Sequence, residues 1–148
     1  QCPILVHDIH DYPDFFDEHN IDTAELDSLS QHSAIVTLHV PLDSTTRGIL
    51  SVDKLSLMKP DAVLINTARG ELVDETALKQ MLQDGRLSAA AFDVFAVEPP
   101  QDQELLTLPN FLATPHIGGS AHEAILAMGR AAIAGLDQNE IPSQDMLS

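Results

Sequence analysis

The chain has 148 residues, 44% hydrophobic and 20% charged, with 23 acidic against 7 basic side chains and a formal net charge of -16. That length suits one domain with a real core, the apolar runs are too short for a transmembrane helix, and no signal peptide is visible from Gln1 to Val6. The acidity argues against nucleic acid and anionic membranes as partners, and the lone Cys2 against a disulfide framework or thiolate metal site, so a soluble cytoplasmic domain is expected.

The first apolar run, Ile4-Leu5-Val6, reads as a strand ending at His7-Asp8. An acid at such a strand end can accept hydrogen bonds from a ribose hydroxyl pair. Equally, Asp8 can start a turn with Asp11, Tyr12 and Pro13. Thr23 can cap a helix that buries Leu26 and Leu29. A second run, Ala34 to Val40, is stopped by Pro41, and Ser51 can cap a helix with Leu55 and Met58 inward and Lys59-Pro60 at its end.

The third run, Ala62 to Ile65, leads into Asn66-Thr67-Ala68-Arg69-Gly70. An arginine there is aimed beyond the strand ends, where its planar fork matches a carboxylate, or it pairs with one of the many surface acids. Asp74 opens a helix with Ala77, Leu78, Met81 and Leu82 as its apolar stripe, and Gly85 fits a left-handed cap.

The fourth run, Ala89 to Phe95, contains Asp93, which is costly in an apolar strand unless paired. Glu98 follows, before Pro99-Pro100, either in a functional place or as a solvated turn residue. The fifth run, Phe111 to Ala113, leads into Thr114-Pro115-His116-Ile117-Gly118-Gly119-Ser120. His116 lies between a proline and a diglycine turn that lets a ligand approach the backbone closely, although a structural histidine bonded to a carbonyl is the usual alternative. The other six histidines show no metal-binding spacing. A last helix is expected from about Ala121 to Leu136, with Ile125, Ala132, Ile133 and Leu136 on one side. Residues 1–137 then form the domain, and 138–148 a polar tail or the start of a linker.

Continuous apolar runs alternating with helices predict an α/β fold, a doubly wound parallel sheet covered on both faces. Ligands of such sheets bind beyond the carboxyl ends of the strands. Those ends carry an arginine, a carboxylate and a titratable histidine, which is what oxidation of a 2-hydroxy acid requires. The arginine binds the substrate carboxylate, the histidine takes the hydroxyl proton as hydride leaves for a nicotinamide, and the carboxylate holds the ring in one tautomer.

Several stretches then resemble one family in its order and spacing. They are His39-Val40-Pro41-Leu42, Leu64 to Gly70 with Val73-Asp74, Phe92-Asp93-Val94-Phe95 with Glu98-Pro99-Pro100, and Thr114 to Ser120. The chain resembles the D-isomer-specific 2-hydroxyacid dehydrogenases. The resemblance implies a Rossmann-like NAD-binding domain, a small 2-hydroxy or 2-keto acid as substrate, and a homodimer. It implies Arg69, Glu98 and His116 as the catalytic set. It also implies Asp8, Val40, Thr67, Ala68, Arg69, Asp93, His116, Ile117, Gly118 and Gly119 as residues that meet NAD, with Asp8 disfavouring a 2′-phosphate. No metal is implied.

One departure stands out. Seven residues precede Asp8, and none is glycine. The family's glycine loop, with its first strand and first helix, is expected to be missing, as is the substrate-facing domain. The strands at Ile4–Val6 and Ala62–Ile65 are then expected to show unpaired edges, and the isolated chain to have little activity. An NAD-binding, corepressor-like interaction module of the same fold family is the alternative. A remnant kept for dimerisation is a third reading.

Overall fold

The computed structural model describes residues 2–138, in two compact units that divide between Pro115 and His116. In the first unit, β1 (Ile4–Val6) leads through α1 (Pro13–His19) to β2 (Ile21–Thr23), and α2 (Leu26–His32) leads to β3 (Ile35–Leu38). Then come α3 (Val52–Leu55), β4 (Val63–Asn66), a 3-10 turn (Gly70–Leu72), α4 (Glu75–Gln83), β5 (Ala89–Phe92), α5 (Gln103–Leu106) and β6 (Phe111–Ala113). The second unit carries α6 (His122–Gln138).

All strand pairings are parallel. β1 pairs with β2, and β3-β4-β5-β6 form a separate four-stranded sheet. The register stacks Val36, Leu64, Ala90 and Phe111 in one row and Leu38, Asn66, Phe92 and Ala113 in the next. These rows face a core completed by Leu50, Leu55, Leu72, Leu78, Met81 and Leu82. The fourth helix is held by the residues expected of it. The Asp74 carboxylate accepts the Ala77 N–H at 2.9 Å, and Gly85 has φ +69° just past α4. Removing Leu64 or Leu78, both fully buried, costs about 2–5 kcal/mol each as Leu→Ala.

The α/β class and the parallel sheet are as expected, and five details differ. First, Thr23 does not cap a helix. It ends β2, level with Val6, and α2 starts behind Glu25, with Leu26 and Leu29 packed on the core. β2 is three residues long with Ile21 as its one large apolar side chain, and α1 sets Asp14, Asp17 and Glu18 around Phe15 and Phe16, so neither has a hydrophobic period to read.

Second, missing β2 puts the open edge on the wrong strand. β4 is paired on both sides, and the four-stranded sheet is instead open at β3 (Ile35–Leu38) and at β6, while β1 and β2 pair only with each other. Third, β5 ends at Phe92, so Asp93 is the first residue past the strand rather than inside it. Fourth, burial alternates along the strands. Ile35 is 61% and Leu112 63% exposed, whereas their neighbours Val36 and Phe111 are buried, so the described residues cover one face of the sheet and leave the other partly open. Fifth, Ser51 stands at the N-terminus of α3 without a side-chain capping hydrogen bond. In α6, Ile125, Ala132, Ile133 and Leu136 are exposed. The segment beyond Gln138, part of the expected tail, lies outside the described residues.

Candidate active site

The carboxyl ends of the strands carry the expected residues. Beyond β1, the exposed Asp8 accepts the His10 N–H at 2.8 Å, which fixes its carboxylate in a short turn. His7 donates from Nδ1 to the Ala24 carbonyl at 3.1 Å, tying the end of β1 to the end of β2. A cavity of about 340 Å³ opens there, lined among others by Val6, Phe16 and Thr23 and by the carboxylates of Asp8 and Glu25.

Past β3, Val40 packs against the core, and the loop behind it is organised by Asp43. The Asp43 carboxylate accepts the backbone N–H groups of Thr45 (2.7 Å) and Thr46 (3.0 Å), and the Thr45 hydroxyl. The Thr45 hydroxyl first, and then these amides, hold the Asp43 carboxyl below its usual range.

The loop after β4 is built around a side chain whose role the sequence hid. Asn66 is fully buried in the sheet row. Its Nδ2 donates to the Arg69 carbonyl (2.8 Å) and its Oδ1 accepts the Ala68 N–H (3.1 Å), so one amide closes the Thr67-Ala68-Arg69 turn from inside. Thr67 and the Arg69 side chain are left exposed and Ala68 half-buried. Leu50 pins the following 3-10 turn. Its N–H donates to the Leu72 carbonyl at 3.0 Å and its own carbonyl accepts from Asp74 at 3.1 Å.

Past β5, Asp93 is buried and its N–H donates to the Asn66 carbonyl at 3.0 Å. Its carboxylate accepts the Thr114 hydroxyl, so the acid that looked costly in an apolar setting is paired. Glu98 is exposed, its Oε1 accepting the Phe95 N–H at 3.0 Å.

Gly70 shows how closely the arginine and glutamate loops meet. A Cβ there would lie 1.9 Å from the Phe95 carbonyl carbon and 2.1 Å from the Ala96 nitrogen. The residue after Arg69 therefore rests directly on the loop that ends at Glu98. Arg69, Glu98, Asp8 and Asp93 all belong to the first unit. His116 is the first residue of the second unit. It is exposed, with φ +51°, a left-handed backbone unusual for a residue with a Cβ. Ile117, Gly118 and Gly119 follow it in a turn closed by the Ser120 N–H on the Ile117 carbonyl at 2.9 Å.

A sequence model of the D-isomer specific 2-hydroxyacid dehydrogenase NAD-binding domain matches residues 1–118. The chain belongs to that family. It is 47% identical over 105 residues to a D-3-phosphoglycerate dehydrogenase of Methanocaldococcus jannaschii, covering 71% of this chain and 20% of that one. It is 42% identical over 127 residues to a glycerate dehydrogenase of Methylorubrum extorquens, covering 79% of this chain and 40% of that one. The crystal structure of apo D-mandelate dehydrogenase from Rhodotorula graminis superimposes with a TM-score of 0.86 at 27% identity, covering 92% of this chain and 40% of that one. The chain thus spans less than half the length of these family members.

NAD is the cofactor of this domain family, and the first unit fits one end of it. The cavity beyond β1 offers apolar walls from Val6 and Phe16 for a ring and the Asp8 carboxylate as an acceptor for paired hydroxyls. Among the described residues no group of three or more His, Cys, Asp or Glu is placed to hold a metal, and no helix is long and apolar enough to cross a membrane.

Three residues that carry this architecture were missed as individuals in the sequence: Asn66, Thr114 and Glu75. Asn66 had a weak signal, a polar residue ending an apolar run before small residues. Thr114 and Glu75 act across long sequence separations and had none.

Proposed function

We propose that the whole protein is an NAD-dependent D-2-hydroxyacid dehydrogenase that interconverts a small 2-hydroxy acid and its 2-keto acid. The observation that carries this reading is the braced turn at Arg69. A buried asparagine holds its backbone, and a glycine seats it on the loop of Glu98, so the exposed Arg69 side chain, whose Nη1 donates to the Ala68 carbonyl at 2.6 Å, extends from a rigid frame. NAD, when bound, supplies the hydride acceptor.

The chain's own residues do the rest. Arg69 grips the substrate carboxylate with two parallel N–H donors. His116 takes the hydroxyl proton during oxidation and returns it during reduction, and Glu98 orients the imidazole by accepting its other N–H. Asp8 accepts from the ribose hydroxyls and repels a 2′-phosphate. Val40, Thr67, Ala68, Asp93, Ile117, Gly118 and Gly119 shape the remaining contacts with the cofactor. Similarity to proteins named D-3-phosphoglycerate dehydrogenase and glycerate dehydrogenase is the reason to try small three-carbon hydroxy acids first. The homodimer implied by the family resemblance belongs to the same proposal, and light scattering on the whole protein checks it.

The chain contains no GxGxxG sequence, whose backbone amides hold a dinucleotide pyrophosphate. We therefore expect the 148-residue chain alone to bind NADH weakly and to turn over slowly. The test is a screen of 2-keto acids with NADH, followed by loss of reduced nicotinamide absorbance. The whole protein should reduce at least one small 2-keto acid. No turnover on any of them, with NADH bound, would defeat the enzymatic reading and favour a cofactor-binding interaction module.

A further inference from the structure

We propose that Glu75 is a positioning residue for Glu98, its carboxylate clamping the Phe95–Glu98 loop to the first turn of α4. The inference deepens the reading above and rests on Glu98 as the partner of His116.

The backbone at Phe95 and Ala96 is held on several sides. The Phe95 N–H donates to Glu98 Oε1 at 3.0 Å. The Ala96 N–H, one residue later, donates to Glu75 Oε1 at 2.7 Å. Gly70 presses on the peptide unit joining the two residues so closely that it has no room for a Cβ. Upstream, Phe95 is buried with its ring centroid 6.2 Å from those of Phe92 and Phe111, which anchors the start of the loop in the core. Downstream, Ala96, Val97 and Glu98 are exposed, so burial does not fix their position. Glu75 grips this segment where it leaves the core.

Helix capping does not explain the choice of glutamate. Asp74 already accepts the Ala77 N–H at the start of α4. The carboxyl of Glu75 also sits in an unfavourable place. Burial pushes its pKa up, the Ala96 N–H pulls it part of the way back, and the negative charge of Asp102 adds to the rise. Lys79, on the same helix, is engaged by Asp102 (2.7 Å) and Glu104 (3.1 Å) rather than by Glu75. A partly buried carboxylate with no cationic hydrogen-bond partner among the described residues is a costly way to hold one N–H in a loop of no consequence. It makes sense where the loop carries a residue whose placement sets the reaction.

The test uses the whole protein with Glu75→Ala, Glu75→Asp, Glu75→Gln and Glu98→Gln, reading kcat and KM against pH, with a melting curve for each. Loss of the clamp should lower kcat by about tenfold to a hundredfold, as expected for a misplacement near 1 Å. It should move the pH midpoint of kcat in the direction that Glu98→Gln moves it, with KM for the keto acid nearly unchanged. Glu75→Asp, which cannot reach Ala96, should behave like the alanine variant if that one does not fold. Glu75→Gln keeps an oxygen acceptor and should restore most of the activity. If Glu98→Gln shifts the profile while the alanine and aspartate variants lower only the melting temperature, the positioning role is overturned and the proposed function stands. If Glu98→Gln itself leaves kcat and its pH profile unchanged, the role of Glu98 fails and this inference fails with it.

Discussion

Replacing Gly70 by alanine tests the frame of the site with one methyl group. The added Cβ would stand 1.9 Å from the Phe95 carbonyl carbon, 2.1 Å from the Ala96 nitrogen and 2.4 Å from the Phe95 Cα, all backbone atoms that cannot rotate away. Relief to a tolerable 3.0 Å requires the two loops to part by about 1.1 Å, the difference between 3.0 and 1.9 Å. Overpacking of this kind costs roughly 1–3 kcal/mol, and at about 2–4 °C per kcal/mol the melting temperature should fall by about 2–12 °C. The same displacement carries Glu98 and Arg69 apart, so kcat/KM of the whole protein should drop on the order of a hundredfold at temperatures where the variant is fully folded. Gly48→Ala is the control. Gly48 has φ +66° but nothing within 4 Å of its absent Cβ, so this change adds backbone strain of about 1 kcal/mol without crowding the site. Its activity should stay near wild type. A Gly70→Ala protein that melts within a degree of wild type and keeps its kcat/KM within twofold would refute the close-contact argument.

Asn66→Ala removes both side-chain bonds that close the arginine turn and leaves the half-buried Ala68 N–H without its acceptor, so stability should fall by roughly 1–3 kcal/mol in urea denaturation and KM for the keto acid should rise. Asp8→Ala removes the charge proposed to repel a 2′-phosphate. The Kd ratio of NADPH to NADH, read by fluorescence titration, should fall by at least tenfold, and an unchanged ratio would move the discrimination elsewhere. The pH dependence of stability should contain two opposed contributions. The Lys79 ammonium first, and then the Leu105 N–H, hold Asp102 below the usual carboxylate range, so its contribution is present above the ordinary aspartate pKa and is lost as pH falls through the lowered value. Glu75 lies above its ordinary value, so its contribution is present below that value and is lost as pH rises through the raised one. Lys79→Met should flatten the acid limb of a melting-temperature profile, and Glu75→Gln should flatten the slope just above it.

Much of the sheet was legible because β3, β4 and β5 carry apolar residues in runs, and because Asp74 and Gly85 mark the ends of α4 with unambiguous side-chain and backbone chemistry. The candidate site residues came from asking what stands at each strand end. β2 was illegible for the opposite reason. Ile21-Asp22-Thr23 has no periodicity of its own, and its strand character comes from the ladder to Ile4–Val6. That single omission displaced the open edge of the sheet from β3 to β4. The exposed side chains of α6 form an apolar stripe that periodicity could locate but not bury. Asn66 and Glu75 act through bonds to backbone atoms of other turns, Asn66 three residues on and Glu75 twenty-one, and residue type alone does not announce such bonds.

The central claim is that a guanidinium, a carboxylate and an imidazole from three strand ends serve one reacting carbon. A crystal structure of the whole protein with NAD and an unreactive 2-keto acid analogue tests it most directly. The account expects both carboxylate oxygens of the analogue on the Arg69 fork. It also expects one ring nitrogen of His116 about 2.6–3.2 Å from the keto oxygen and Glu98 on the other ring nitrogen. An analogue seated on other cations, with the imidazole turned away from it, would contradict the account.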